Sequence, residues 1–145
     1  LEVDYQAGYA ADASTRIATF RPCSDQEAYA LVLFRGWSEE CACLTWRVHE
    51  FADGVLLTRL AAGQPLEIAL ELPEAPPVEQ FIILALARRR GDLPAGGREA
   101  RRLLDCLNEA APPSWAGEPE EHYTAAVQTC LPGGAQIVRQ PFHVR

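Results

Sequence analysis

The stretch Leu66-Glu-Ile-Ala-Leu-Glu-Leu72 places Leu66, Ile68, Leu70 and Leu72 on one side of an extended chain and Glu67 and Glu71 on the other. Alternation with period two predicts a half-buried strand of an antiparallel sheet. Leu44, Trp46 and Val48 alternate with Thr45, Arg47 and His49 in the same way. Tyr29 to Arg35 and Phe81 to Ala87 are nearly unbroken apolar runs, which suit central strands covered on both faces. Val55 to Leu60 follows Asp53-Gly54, a dipeptide that favours a tight hairpin. Ala135 to Arg145 reads as a last strand, with Pro141 confining part of it to an edge. The weaker pattern from Val3 to Phe20 leaves room for one or two more strands.

One segment changes period. Ala100, Leu103, Leu104, Leu107 and Ala111 recur at steps of three and four, which predicts an amphipathic helix near residues 98–111. Gly96-Gly97 precedes it and Pro112-Pro113 stops it. Residues 112–121 are rich in Pro, Gly and Glu and read as an exposed loop, and Pro73 to Pro77 as a second break. The expected fold is therefore mainly β: one domain over residues 1–145, an antiparallel immunoglobulin-like β-sandwich with one helix packed at an end or across a crossover.

Composition narrows the class. In 145 residues, 48% are apolar and 23% charged, which excludes collagen-like, low-complexity and fully disordered chains. There is no Lys and no Met, and all 13 basic residues are Arg, against 20 acidic ones. The missing lysines exclude a P-loop lysine, a Schiff base, a Ser-Lys dyad and a kinase-type Lys–Glu pair. A net charge of −7 argues against nucleic acid as a partner. The basic residues Arg88, Arg89, Arg90, Arg98, Arg101 and Arg102 lie close in sequence and form one local positive patch, read as a solvated face.

The five cysteines, Cys23, Cys41, Cys43, Cys106 and Cys130, include no C-x-x-C pair. On an extended strand Cys41 and Cys43 stand about 7 Å apart, too far to bond each other. Each is therefore expected to find a partner elsewhere. The expected bridges are Cys106 to Cys130 and Cys23 to Cys41 or Cys43, among connectivities that spacing leaves open. The chain starts at Leu1, which with no Met reads as a processed or trimmed chain. Its longest apolar run is strand-sized, short of the roughly 18 residues of a membrane span. Together these features predict a periplasmic or secreted protein.

Candidate chemistry is sparse. Ser38, in Gly36-Trp-Ser-Glu-Glu40, lacks the second glycine and the strand–turn–helix setting of a nucleophile elbow. His49, His122 and His143 have no metal-ligand spacing, and a set using Cys23, Cys41, Cys43 and His49 has no motif behind it. Glu118, Glu120 and Glu121 lack the Asp/Asn alternation of an EF-hand loop. Arg90-Gly91-Asp92 matches the integrin-binding tripeptide, a short match expected by chance in an Arg-rich chain. Gly96-Gly97 before a helix is a weak anion-site signal without G-x-G-x-x-G spacing. No catalytic residue, metal or cofactor is expected.

The order Phe51-Ala-Asp-Gly-Val55, Leu60-Ala-Ala-Gly63, Leu66-Glu-Ile68, Phe81-Ile-Ile-Leu-Ala85 and then the Leu103-Leu104 helix covers about a third of the chain. It resembles bacterial envelope β-sandwich domains of unassigned function that are appended to caspase-like and anti-sigma regulatory proteins. The resemblance implies an immunoglobulin-like sandwich with a binding role and carries over no residue-level function.

The expected function is an extracytoplasmic protein-binding module, most concretely an immunity or inhibitor protein that blocks a secreted bacterial toxin or hydrolase. Trp115, Glu118, Glu120, Glu121 and Tyr123, in and beside the 112–121 loop, form the expected contact with a basic protein partner. Two other classes stand beside it: an accessory envelope or secretion-system sandwich domain pairing through a sheet edge, and a small hydrolase using Ser38 or a cysteine with a histidine.

Overall fold

The computed structural model describes residues 5–11, 15–22, 28–38, 40–61, 64–71, 79–115, 117–131 and 136–143. Among the described residues, eight strands and two α-helices follow one another: β1 (Tyr5–Ala11), β2 (Thr15–Pro22), β3 (Ala28–Ser38), β4 (Cys43–Val48), β5 (Leu57–Leu60), β6 (Leu66–Glu71), β7 (Glu79–Ala87), α1 (Gly97–Ala110), α2 (Glu120–Cys130) and β8 (Gln136–His143). An outer sheet has the order β1-β2-β6, and a central sheet the order β4-β3-β7-β8 with β5 also paired to β3. Every pairing is antiparallel.

The apolar runs of β3 and β7 explain the layering. Ala28, Ala30, Val32 and Phe34 of β3, with Ile82, Leu84 and Leu86 of β7, meet Phe20, Leu60, Leu66 and Ile68 in one apolar core between the sheets. The alternate positions, Leu31 and Leu33 of β3 with Ile83, Ala85 and Ala87 of β7, meet Leu103 and Leu107 of α1 and Tyr123, Ala126 and Val127 of α2 in a second core. A strand buried on both faces has no polar side to show, which is why its sequence does not alternate. The order is thus outer sheet, central sheet, helix pair.

This architecture departs from the expected fold. Two antiparallel sheets face each other and α1 stands where the helix near 98–111 was expected, but a second helix joins it over the far face of one sheet, so strands and helices are mixed rather than mainly β. The second helix was not among the expected elements: only its first two residues, Glu120 and Glu121, fall within the 112–121 segment expected to be loop. Its start signal is Pro119 at the N-cap followed by Glu120 and Glu121, since carboxylates are favoured at a helix N-terminus. Its buried stripe is Tyr123, Ala126 and Val127, with Cys130 one turn on, at steps of three, four and seven.

Asp53-Gly54 also serves a different purpose from the hairpin expected. β4 pairs with residues 33–38 of β3 and β5 with residues 28–31, so both run in series along the same edge. Residues 49–56 form an excursion within an otherwise continuous edge. It is pinned by His49 N–H to Val32 O at 2.9 Å and Phe51 N–H to Val55 O at 2.7 Å. Asp53 and Gly54 both take left-handed φ values, 63° and 72°, which reverse the chain within the excursion.

Candidate functional site

Arg35 is the one buried charged residue of the described chain, at 1% exposure. It stands on the helix-facing side of β3, opposite Trp46 in register. Its Nη1 donates to Ala111 O at 2.8 Å, and its Nη2 to Pro112 O and Trp115 O, both at 2.9 Å. Those carbonyls belong to the C-terminal cap of α1 and the turn after it, where the helix dipole is negative and acceptors are unfilled. The rings of Tyr123 and Trp46 flank the guanidinium, with centroids 4.8 and 5.4 Å from Cζ. Burial pulls Arg35 below the ordinary arginine value and Tyr123 opposes that pull. Carbonyls and aromatic faces supply what a carboxylate would elsewhere.

This clamp decides the fate of the expected contact residues. Tyr123 is 1% exposed and forms part of the helix-side core. Trp115 is half-buried against the same core, its ring edge-on to Tyr123 at 6.2 Å. Tyr123 is therefore turned inward, while Trp115 keeps part of its surface exposed. Glu118 is half-buried and accepts a hydrogen bond from His122 Nδ1 at 2.9 Å, one turn on. Glu121 is exposed, and the side chain of Glu120 lies outside the described residues. The segment is a folded connection between α1 and α2, with carboxylates at its rim.

At the start of α1, Glu99 in the first turn accepts the Ala95 N–H at 3.1 Å, just ahead of Gly96-Gly97. Asp92 of the Arg-Gly-Asp turn lies 3.5 Å from Arg89. Among the described residues, no group of three His, Cys, Asp or Glu is placed to hold a metal ion, and no helix is long and apolar enough to cross a membrane.

Two cysteine pairs lie at disulfide distance. Cys106 of α1 bonds Cys130 of α2, as expected, and staples the helix pair across 24 residues. Cys41 bonds Cys43, which overturns the expected bridge from Cys23. The 7 Å estimate assumed an extended chain. Ala42 instead adopts φ 53° in the turn between β3 and β4, drawing the two Cα atoms to 5.2 Å, within disulfide range. Cys23 lies outside the described residues.

A concave site opens elsewhere. Ala28, Tyr29, Arg59 and Arg88 line a cleft of about 250 Å³ at one end of the central sheet. Strand register assembles it: Tyr29 of β3 stands opposite Arg59 of β5 on one side and Ala87 of β7 on the other. Arg88 follows as the chain leaves the sheet. Both arginines are exposed and Tyr29 is half-buried. The positive patch seen in sequence contained Arg88, but nothing local links it to Tyr29 or Arg59, which pairing alone brings together.

No family model, no curated protein and no solved structure matches the chain.

Proposed function

We propose that the chain is a binding module that works outside the cytosol and grips an acidic segment of a protein partner in the Tyr29–Arg59–Arg88 cleft. The cleft carries the reading. The Arg88 guanidinium offers a forked donor matched to carboxylate oxygens, Arg59 adds a second positive charge beside it, and the Tyr29 ring supplies a wall. A volume of about 250 Å³ suits one or two acidic side chains and is small for a typical cofactor pocket. At contact distance these local cations outweigh the chain's net charge of −7, because charges beyond about 10 Å are screened at ordinary salt. The two cysteine pairs at disulfide distance support the compartment, since such bonds persist in oxidising surroundings.

An immunity or inhibitor role against a secreted toxin or hydrolase is the narrower form of this reading. In that form the 112–121 segment adds its carboxylates and the exposed part of Trp115 at the rim, while Tyr123 packs inward.

Calorimetric titration with the peptide acetyl-Gly-Glu-Glu-Gly-amide tests the cleft. The expected result is weak one-to-one binding that fades as salt rises and drops at least about tenfold in the Arg59→Ser/Arg88→Ser variant. Trp115→Ala should leave it unchanged. Equal binding by the double arginine variant and the unaltered chain would overturn the assignment.

A further inference from the structure

We propose that Cys41–Cys43 is a thiol–disulfide exchange site that passes oxidising equivalents to dithiols of other proteins, independently of the arginine cleft. Its surroundings are those of a bond built to open. Cys41 is exposed and Cys43 is half-exposed, at the turn between β3 and β4. The ring between them encloses one residue, Ala42, held at φ 53°, a region that costs any residue with a Cβ. Opening the bond releases that constraint. So short a loop also removes little freedom from the unfolded chain, so the fold hardly depends on the bond.

Reduction does not strand the sulfur. Cys43 O lies 3.8 Å and Ser38 O 4.0 Å from Cys41 Sγ, where they accept its S–H once the dithiol forms. Ser38 and Cys43 are opposite partners in the β3–β4 ladder, so the hairpin keeps both cysteines in one short turn after reduction while Ala42 is free to relax. Cys106–Cys130 is the internal contrast: both residues are half-buried, they tie two helices, and they close a separation of 24 residues.

The exchange balances as two displacements. A thiolate of the partner dithiol attacks the more accessible Cys41 Sγ, forming a mixed disulfide and expelling Cys43 as a thiolate that takes up a proton. The partner's second thiolate then attacks its own sulfur in the mixed disulfide, closing the partner's disulfide and expelling Cys41, which is protonated in turn. Two electrons and two protons leave the partner and rest on Cys41 and Cys43.

The test uses the full oxidised chain under native conditions. It is equilibrated with graded glutathione redox buffers, alkylated with N-ethylmaleimide and mapped by peptide mass. Cys41 and Cys43 should be labelled together in buffers that leave Cys106 and Cys130 unlabelled, with the far-ultraviolet spectrum unchanged. A reduced, unstructured peptide carrying two cysteines should be oxidised by stoichiometric protein, and Cys41→Ser/Cys43→Ser should lose that activity while melting as the unaltered chain does. Ala42→Gly accepts the left-handed φ without cost, so it should make the bond about fivefold harder to reduce. Labelling of the 41/43 pair only together with the 106/130 pair, or peptide oxidation that survives in the double serine variant, would overturn the proposal.

Discussion

On one face of the central sheet, Ala30, Val32, Phe34, Ile82, Leu84 and Leu86 meet an interior made of apolar side chains. On the other, Leu31, Leu33, Ile83 and Ala85 share theirs with a guanidinium, three carbonyls, two aromatic rings and a nearby disulfide. The two faces solve different problems. Two sheets stacked face to face are limited in relative angle by their own twist, so apolar packing is enough to seat them. A pair of helices laid on a sheet can slide and rotate with little change in apolar contact. Directional bonds remove that freedom. Arg35 fixes the end of α1, and Trp46 N–H donates to Asn108 Oδ1 at 3.3 Å, tying the same helix to the β4 edge.

If this division holds, the largest single loss should come from the polar clamp. Arg35→Met keeps much of the apolar volume and removes the donors to Ala111, Pro112 and Trp115. Charge-assisted bonds contribute about 1.5–3 kcal/mol each, and the relief of burying a cation offsets part of their sum, leaving a cost of about 4 kcal/mol in urea unfolding. Near-ultraviolet dichroism from Trp46, Trp115 and Tyr123 should weaken as the helices lose their seat. Arg35→Lys should rescue little, because one ammonium lacks the planar fork that spans two acceptors on one nitrogen and a third on the other. A loss below about 1 kcal/mol would mean that apolar packing seats both faces alike.

Leu84→Ala probes the opposite face. Leu84 is fully buried among apolar neighbours between the sheets, and truncation there should cost about 3 kcal/mol as lost burial plus cavity. Its signature should differ: a lower urea midpoint with the aromatic dichroism intact. Below that in size comes Cys106→Ser/Cys130→Ser, expected to cost about 2 kcal/mol through greater freedom of the unfolded chain. Because Arg35 still anchors α1, the aromatic spectrum of the folded double variant should persist. If it collapses, the disulfide rather than the guanidinium sets the helix position.

The same contrast explains what was legible in the chain. β3, β6, β7 and α1 announce themselves because burial on one or both faces writes itself into the spacing of apolar residues. Arg35 gave no such signal: it closes an apolar run, and its three acceptors are backbone carbonyls 76 to 80 residues away, which no side-chain pattern encodes. The helix α2 was hidden by its own approach, since Pro, Gly and Glu before Pro119 look like solvated loop until the Tyr123, Ala126, Val127 stripe is counted. Trp115 and Tyr123 looked like contact residues for the same reason, as aromatics beside carboxylates. The cleft depends on register, and register brings Tyr29 to Arg59 across 30 positions of sequence that share no local motif.

The smallest effect expected lies on the edge excursion, where neither face governs. Burial beside Phe51, whose ring stands edge-on to His49 at 4.9 Å, lowers the His49 pKa below its ordinary value, and Glu50 opposes the shift. A lowered folded pKa means that the unfolded chain binds the proton more tightly. Above about pH 6.5, the unfolded histidine value, His49 is neutral in both states and its contribution is complete. As pH falls below that value toward the folded pKa, the contribution is progressively lost. The urea midpoint of the unaltered chain should therefore decline more between pH 7.5 and pH 5.5 than that of His49→Gln, while groups common to both proteins cancel in the difference. An equal decline would show that the excursion leaves His49 as hydrated as in the unfolded chain, and that its hydrogen bond to Val32 holds the backbone without burying the ring.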